Sequence, residues 1–270
     1  MYKRLTALPF GIWIAIGTLV PLGVIAFYGL TDREGALTLS NMTAIADPVH
    51  AKALGLALLL ALISTLICLV LAFPLAMILR NGKLGQKGFI IFIFILPMWM
   101  NFLLRTMAWQ VLLERNGLIN VILTALHLPA LEIINTPAAI VLGMVYDFLP
   151  FMVLPIYNTV AKIDDSLIEA AYDLGARRKQ VLTRVILPLS IPGIASGITM
   201  VFVPSLTTFA ISNMLGGGKV NLIGNIIEQE FIASSNWNLG SGLSLVMMVF
   251  IVLSMAALSK LDKNGEGNLL

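Results

Sequence analysis

The chain has 270 residues, 59% of them hydrophobic and only 11% charged, with a formal net charge of +3. Soluble domains carry about 25% charged residues, so this composition excludes a soluble globular fold and points to an all-α integral membrane protein, each span needing ~20 mostly apolar residues. Lys and Arg form no runs interleaved with aromatics, which excludes nucleic-acid binding, and the lone cysteine, Cys68, offers neither an internal disulfide nor a metal site.

Six hydrophobic runs predict six spans in a single membrane domain covering 1–270, near 9–30, 53–79, 88–112, 136–160, 189–213 and 239–259. Lys3 and Arg4 ahead of the first run resemble a secretory signal. The apolar stretch continues from Leu8 to Leu30 without a small-x-small cleavage site, so a retained span is expected. The fourth run opens with Thr136, able to cap, and Pro137, suited to the first helical position, where no backbone N–H is needed. Pro21, Pro74, Pro97, Pro150, Pro155 and Pro204 fall inside the runs, and each removes one helical hydrogen bond. Two explanations stand side by side, ordinary packing and kinked helices around a cavity.

Orientation follows from the basic residues. Lys3, Arg4, Arg80, Lys83, Lys87, Lys162, Arg177, Arg178, Lys179, Arg184, Lys260 and Lys263 gather on one side of the predicted spans, twelve of the 17 Lys and Arg. That side is expected to be cytoplasmic, with both termini and the 161–188 segment on it. The opposite side has the connections 31–52, 113–135 and 214–238. The last contains Gly216, Gly217 and Gly218, then the apolar–acidic patch Ile226, Ile227, Glu228, Glu230 and Phe231, which predicts a short amphipathic helix lying on or dipping into the outer face. Gly218-Lys219 is no nucleotide loop: Val220 and Asn213 break the G-x-x-x-x-G-K-[ST] pattern.

Between the fourth and fifth runs lies the most polar interior segment, Asp164 to Pro188. Ser166 and Glu169 have capping-box spacing, which predicts a helix starting near Leu167. Leu167, Ala170, Ala171 and Leu174 recur at three- and four-residue steps and form one apolar face. Gly175 supplies the left-handed conformation that ends helices. A second helix is predicted from about Ala176 to Leu187, with Pro188 opening the return into the membrane. A solvated loop anchored to lipid headgroups would explain the basic residues but would waste the apolar face on water.

Glu169, Ala170, Ala171, Gly175, Val185, Leu187 and Pro188 stand at the spacing of the "EAA loop" of bacterial ATP-binding-cassette importers, and the segment is similar to it. Val185 departs conservatively from the usual isoleucine. The resemblance implies a type I importer permease fold in which Glu169 to Gly175 form a coupling helix seated in an ATPase groove. Ser166, Asp173, Leu174 and Arg177 belong to the same coupling set. Leu96 to Asn101 with Arg105, Val145-Tyr146, Leu149 to Tyr157, and Gly216 to Asn225 resemble the first permease subunit of spermidine/putrescine importers.

That resemblance implies a bacterial cytoplasmic-membrane subunit that moves polyamines by alternating access, with no catalysis and no cofactor of its own. It implies as partners a second, related permease, a homodimeric ATPase that binds ATP and Mg2+, and an extracytoplasmic binding protein. An importer of another small solute and an ion-coupled carrier remain alternatives. Polyamine ammonium groups would suit carboxylates and aromatic faces, the latter at ~0.5–2 kcal/mol each. Trp99, Asn101, Arg105, Tyr146, Asp147 and Phe209 are candidates for the path, and Glu228 and Glu230 for docking the binding protein. Asp147 lies ~15 Å into its predicted helix, where an ionisable group costs at least ~2.5–3.5 kcal/mol. It either meets passing ammonium groups or pairs with Arg105, which could alternatively snorkel outward.

Overall fold

Small residues stripe the second apolar run. Ala53, Ala57, Ala61, Thr65, Cys68, Ala72 and Ala76 follow one another at three- and four-residue steps, and all are buried. Helices in lipid gain little from apolarity and pack by shape, so small residues mark the side of close contact. Leu59, Leu62, Leu66 and Val70 are left exposed, as suits contact with lipid. In the computed structural model this run is one helix, Pro48–Asn81. The structure describes residues 2–81, 92 and 96–267, with side chains over 10–80, 92 and 96–257.

In chain order the principal helices are α1 (Tyr2–Gly29), α2 (Pro48–Asn81), α3 (Phe102–Leu113), α4 (Leu118–Ala125) and α5 (Pro137–Val160). They continue as α6 (Asp165–Asp173), α7 (Ile191–Thr207), α8 (Ala210–Gly216), α9 (Ile223–Ile232) and α10 (Trp237–Gly267). An isolated bridge joins Thr31 and Leu37, and the described residues hold no named strand. The chain forms two compact units, Met1–Leu54 with Ile223–Val252, and Gly55–Leu222 with Leu253–Leu270.

In the first unit, Asn238 gathers the backbone that leaves α1. Its side-chain amide donates to the carbonyls of Tyr28, Thr31 and Asp32 at 3.1, 2.7 and 3.2 Å. Asn41 donates to Gly29 and Thr31 at 3.3 and 2.8 Å. These bonds satisfy carbonyls that a helix end leaves without partners. The α9 helix is the short helix expected after the glycine triplet. It buries Ile223, Gly224, Asn225 and Ile226, and Ile226 packs with Ala53 and Leu243, so its first turn is seated in the core of this unit.

In the second unit, α5 begins at Pro137 as expected, but the Thr136 hydroxyl donates backward to the Ile133 carbonyl and caps nothing. The α7 helix carries Gly193 and Gly197 one turn apart on the face toward α5. A Cβ at Gly193 would meet the Pro155 carbonyl at 2.7 Å, and one at Gly197 the Met152 sulfur at 2.7 Å. This is the small-xxx-small contact of membrane helices. The core of the unit joins Cys68, Ala72, Ala76 and Leu79 of α2, Met152, Val153, Ile156 and Val160 of α5, and Val201 of α7. Ile168, Ala171 and Ala176 pack against it from the polar segment, so that segment is seated on the helix bundle of this unit.

Among the described residues four helices are long and apolar enough to cross a membrane: Phe10–Gly29, Pro48–Arg80, Pro137–Val160 and Trp237–Ala257. A fifth span arises if Arg178–Leu189 and Ile191–Thr207, bent by 64°, count as one. The expected third span, 88–112, falls partly on residues 82–91 and 93–95, outside the described set. Its described part is interrupted at Met100 and Asn101, and α3 starts afresh where Asn101 caps the Leu103 N–H at 2.8 Å. The expected fifth span, 189–213, is likewise divided, with α7 ending at Thr207 and α8 starting at Ala210.

Candidate functional site

The helix start in the polar segment is earlier than the capping-box spacing predicts. The Asp164 carboxylate accepts from the Ser166 N–H at 2.9 Å and is the N-cap, so Ser166 lies inside the first turn of α6. A charged acceptor two residues upstream outcompetes the serine hydroxyl for the free N–H groups and complements the helix dipole. Hydrogen bonds from Ser166, backbone first, hold the Asp164 carboxyl below its ordinary range. The helix ends as predicted. Gly175 has φ +80°, its N–H donates to Tyr172, and the Ala176 N–H donates to Ala171, the paired bonds of a Schellman motif.

The apolar residues of α6 divide between two sides. Ile168 and Ala171 turn toward the core. Leu167 and Leu174 stay 50% and 90% exposed, with Ala170 between them and Glu169 and Asp173 also exposed. The four residues therefore do not form the single apolar face predicted for them, because Ala171 turns away from Leu167, Ala170 and Leu174. Leu167 and Leu174 thus stand on the solvent side beside carboxylates, on a helix whose other side is anchored. The expected second helix is irregular. Arg177 is exposed and precedes a helical turn, Arg178–Val181, its N–H bonded to Gln180 Oε1 at 2.7 Å. A π-helical stretch, Leu182–Ile186, and the short helix Leu187–Leu189 follow, and the chain bends at Ser190, whose hydroxyl donates to Ile186 at 2.6 Å.

Arg80, counted in the sequence only as a basic residue of the expected inner side, touches three elements. From the last turn of α2 its Nε donates to the Val160 carbonyl at 3.1 Å and its Nη2 to the Ile163 carbonyl at 3.0 Å. Nη2 also meets Asp165 Oδ1 at 2.6 Å. Met77, Arg80, Ile168, Tyr172, Arg178, Val181, Leu182 and Ile186 surround a recess of about 450 Å³ beside this contact.

A second polar cluster is buried between α3 and α5. Arg105 Nη2 lies 3.3 Å from Asp147 Oδ1, and the two side chains are 6% and 2% exposed. Thr106 donates to Asp147 Oδ2 at 3.1 Å. The guanidinium carbon sits 6.0 Å from the centre of the Tyr146 ring, which packs edge-on against Trp109. Arg105 Nε and Nη1 and Asp147 Oδ1 have no hydrogen-bond partner among the described residues. Contact by charge without full hydrogen bonding makes this pair costly to bury.

The structure thus brings Arg105, Tyr146 and Asp147 together and adds Thr106, which sequence reasoning missed. Trp99 is exposed and stands edge-on to Phe92, Asn101 serves as a helix cap, and Phe209 lies at the break between α7 and α8. Glu228 and Glu230 are half-buried on α9. No group of three His, Cys, Asp or Glu side chains among the described residues is arranged to hold a metal ion.

A family model described as "Binding-protein-dependent transport system inner membrane component" matches residues 7–264. The chain is 34% identical over 260 residues to the spermidine/putrescine transport system permease protein PotB of Haemophilus influenzae, covering 93% of this chain and 91% of that protein. It is 35% identical over 251 residues to PotB of Escherichia coli, covering 90% and 91%. A subunit in the crystal structure of a bacterial alginate ABC transporter, complexed with a pentasaccharide-bound periplasmic protein, superposes with a TM-score of 0.81 at 16% identity, over 97% of this chain and 94% of that one. At that identity the likeness speaks for the fold.

Proposed function

We propose, because this chain belongs to the family of inner membrane components of binding-protein-dependent transport systems, that it is one of two permease subunits of an ATP-driven importer of spermidine and putrescine. As a member of the family it is a multi-pass, non-catalytic subunit of the inner membrane, and its ATPase is a separate chain. The observation that carries the substrate is the identity of 34–35% to polyamine permeases over about nine-tenths of both chains.

On this reading both termini and α6 face the cytoplasm, Ser166, Glu169, Ala170, Asp173, Leu174, Gly175 and Arg177 form the coupling surface for a homodimeric ATPase that binds ATP and Mg2+, and Ala171 of the same set seats that surface on the bundle. The exposed stripe on α6 and its anchored inner side support that assignment. A second permease and an extracytoplasmic binding protein complete the importer, with Glu228 and Glu230 as docking groups for the latter. Trp99, Tyr146 and Phe209, all exposed, offer aromatic faces to a polycation, and Asn101 is a further group for the path. Asp147 is occupied by Arg105 and joins the path only if a substrate ammonium displaces the guanidinium.

The test is uptake by the complete complex in proteoliposomes. Labelled spermidine is expected to accumulate only with ATP on the ATPase side and loaded binding protein on the other, and unlabelled putrescine should compete. Accumulation driven by an ion gradient without ATP would overturn the reading. So would ATP hydrolysis stimulated by another class of solute and not by polyamines.

A further inference from the structure

In the proposed importer a displacement of α6 has to reach the membrane helices, yet the chain links α6 to α5 through nothing stiffer than the turn at 161–164. We infer that Arg80 is the positioning residue that makes this link rigid. From the end of α2 its guanidinium holds the carbonyl of Val160, the last residue of α5, the carbonyl of Ile163 in the turn that follows, and the first-turn carboxylate of α6, so that α6 moves together with α2 and α5. The inference rests on the coupling role proposed for α6.

The geometry suits an arginine and no other side chain. Nε donates to the Val160 carbonyl, while Nη2 donates to both the Ile163 carbonyl and Asp165 Oδ1. A guanidinium presents its N–H groups in a fixed fork, whereas an ammonium is a point charge on a flexible stem. Val160 is the last residue of α5, so its carbonyl belongs to the negative end of that helix, where a cation is favoured. Arg80 is 11% exposed and Asp165 83% exposed. Water screens the ion pair with Asp165, so the sheltered carbonyl bonds carry the larger share. A basic residue needed only for membrane orientation could be lysine equally well, and that difference makes the inference testable.

The experiment measures uptake and ATP hydrolysis together in the reconstituted complex, with labelled spermidine, and reads solute moved per ATP. R80Q is expected to keep hydrolysis and to lose about tenfold in solute per ATP, the size of one charge-assisted hydrogen bond. R80K should fall clearly below the parent protein, and D165N should lose less than either. Solute per ATP in R80K equal to the parent would overturn the inference, because the charge alone would then suffice. Should R80Q fail to assemble, R80K decides on the same criterion. L174D, at a position 90% exposed, separates the two levels. If it leaves uptake and hydrolysis unchanged, the coupling role of α6 falls. If it uncouples them while R80K does not, only the role of Arg80 falls.

Discussion

Asp147 and Arg105 are the two charged residues that the sequence places inside predicted spans, and the structure joins them in one buried contact. Their partnership was open in the sequence because lone charges in hydrocarbon must find something. Thr106 and the Tyr146 ring were not legible, since which neighbours a side chain meets depends on the rotation of one helix against another. Removing one member of a buried pair strands the other, at about 3–5 kcal/mol. D147N keeps the size of the side chain and an acceptor for Thr106 while leaving Arg105 uncompensated. It is expected to lower the stability of the purified complex by that amount, read as the fraction intact after a temperature ramp. The double variant R105M/D147L replaces both charges by apolar groups and should recover most of the loss. A D147N complex as stable as its parent would show that the contact contributes nothing. Uptake by a stable R105M/D147L complex with an unchanged KM would remove Asp147 from the substrate path.

The ends of elements were legible where the signal is local. Gly175 terminates α6 because its backbone alone adopts φ +80° without strain, and no other residue is consulted. The start of α6 is not legible from spacing, because two acceptors, Asp164 and Ser166, compete for the same free amides and spacing does not rank them. No local pattern in the sequence states the interruption at Met100 and Asn101, the break after Thr207 or the π-helical stretch at Leu182–Ile186. Gly193 and Gly197 did stand in the sequence at the spacing of a close helix contact, and only the structure attaches them to Met152, Pro155 and Thr159 of α5. G193V forces a side chain against the Pro155 carbonyl, so α7 must move off α5. Overpacking of this kind costs about 1–3 kcal/mol, and the stability of the assembled complex should fall accordingly. G17V is the control, because a Cβ at Gly17 meets nothing within 4 Å. Equal stability of the two variants would mean that α7 does not depend on its contact with α5.

At the scale of the whole molecule, composition established the membrane class, and four of the hydrophobic runs coincide with helices long and apolar enough to cross a membrane, α1, α2, α5 and α10, while the third run extends beyond the described residues. Orientation rests on the bias of Lys and Arg alone, and it can be tested on one helix. The α5 helix has 24 residues, or ~36 Å, against a hydrocarbon core of ~30 Å, so its two ends emerge on opposite faces. Glu132 precedes it, Ser166 follows it, and both are exposed. The single natural thiol, Cys68, is fully buried, so an introduced cysteine reports against a quiet background. A membrane-impermeant maleimide should label E132C and spare S166C when it reaches only the outer face of the inner membrane, and inside-out vesicles should reverse the pattern. Labelling of S166C from the outer face would place α6 where no cytoplasmic ATPase can touch it. The exposed leucines, the Schellman turn and the arginine clasp would then need a partner on the other side of the membrane.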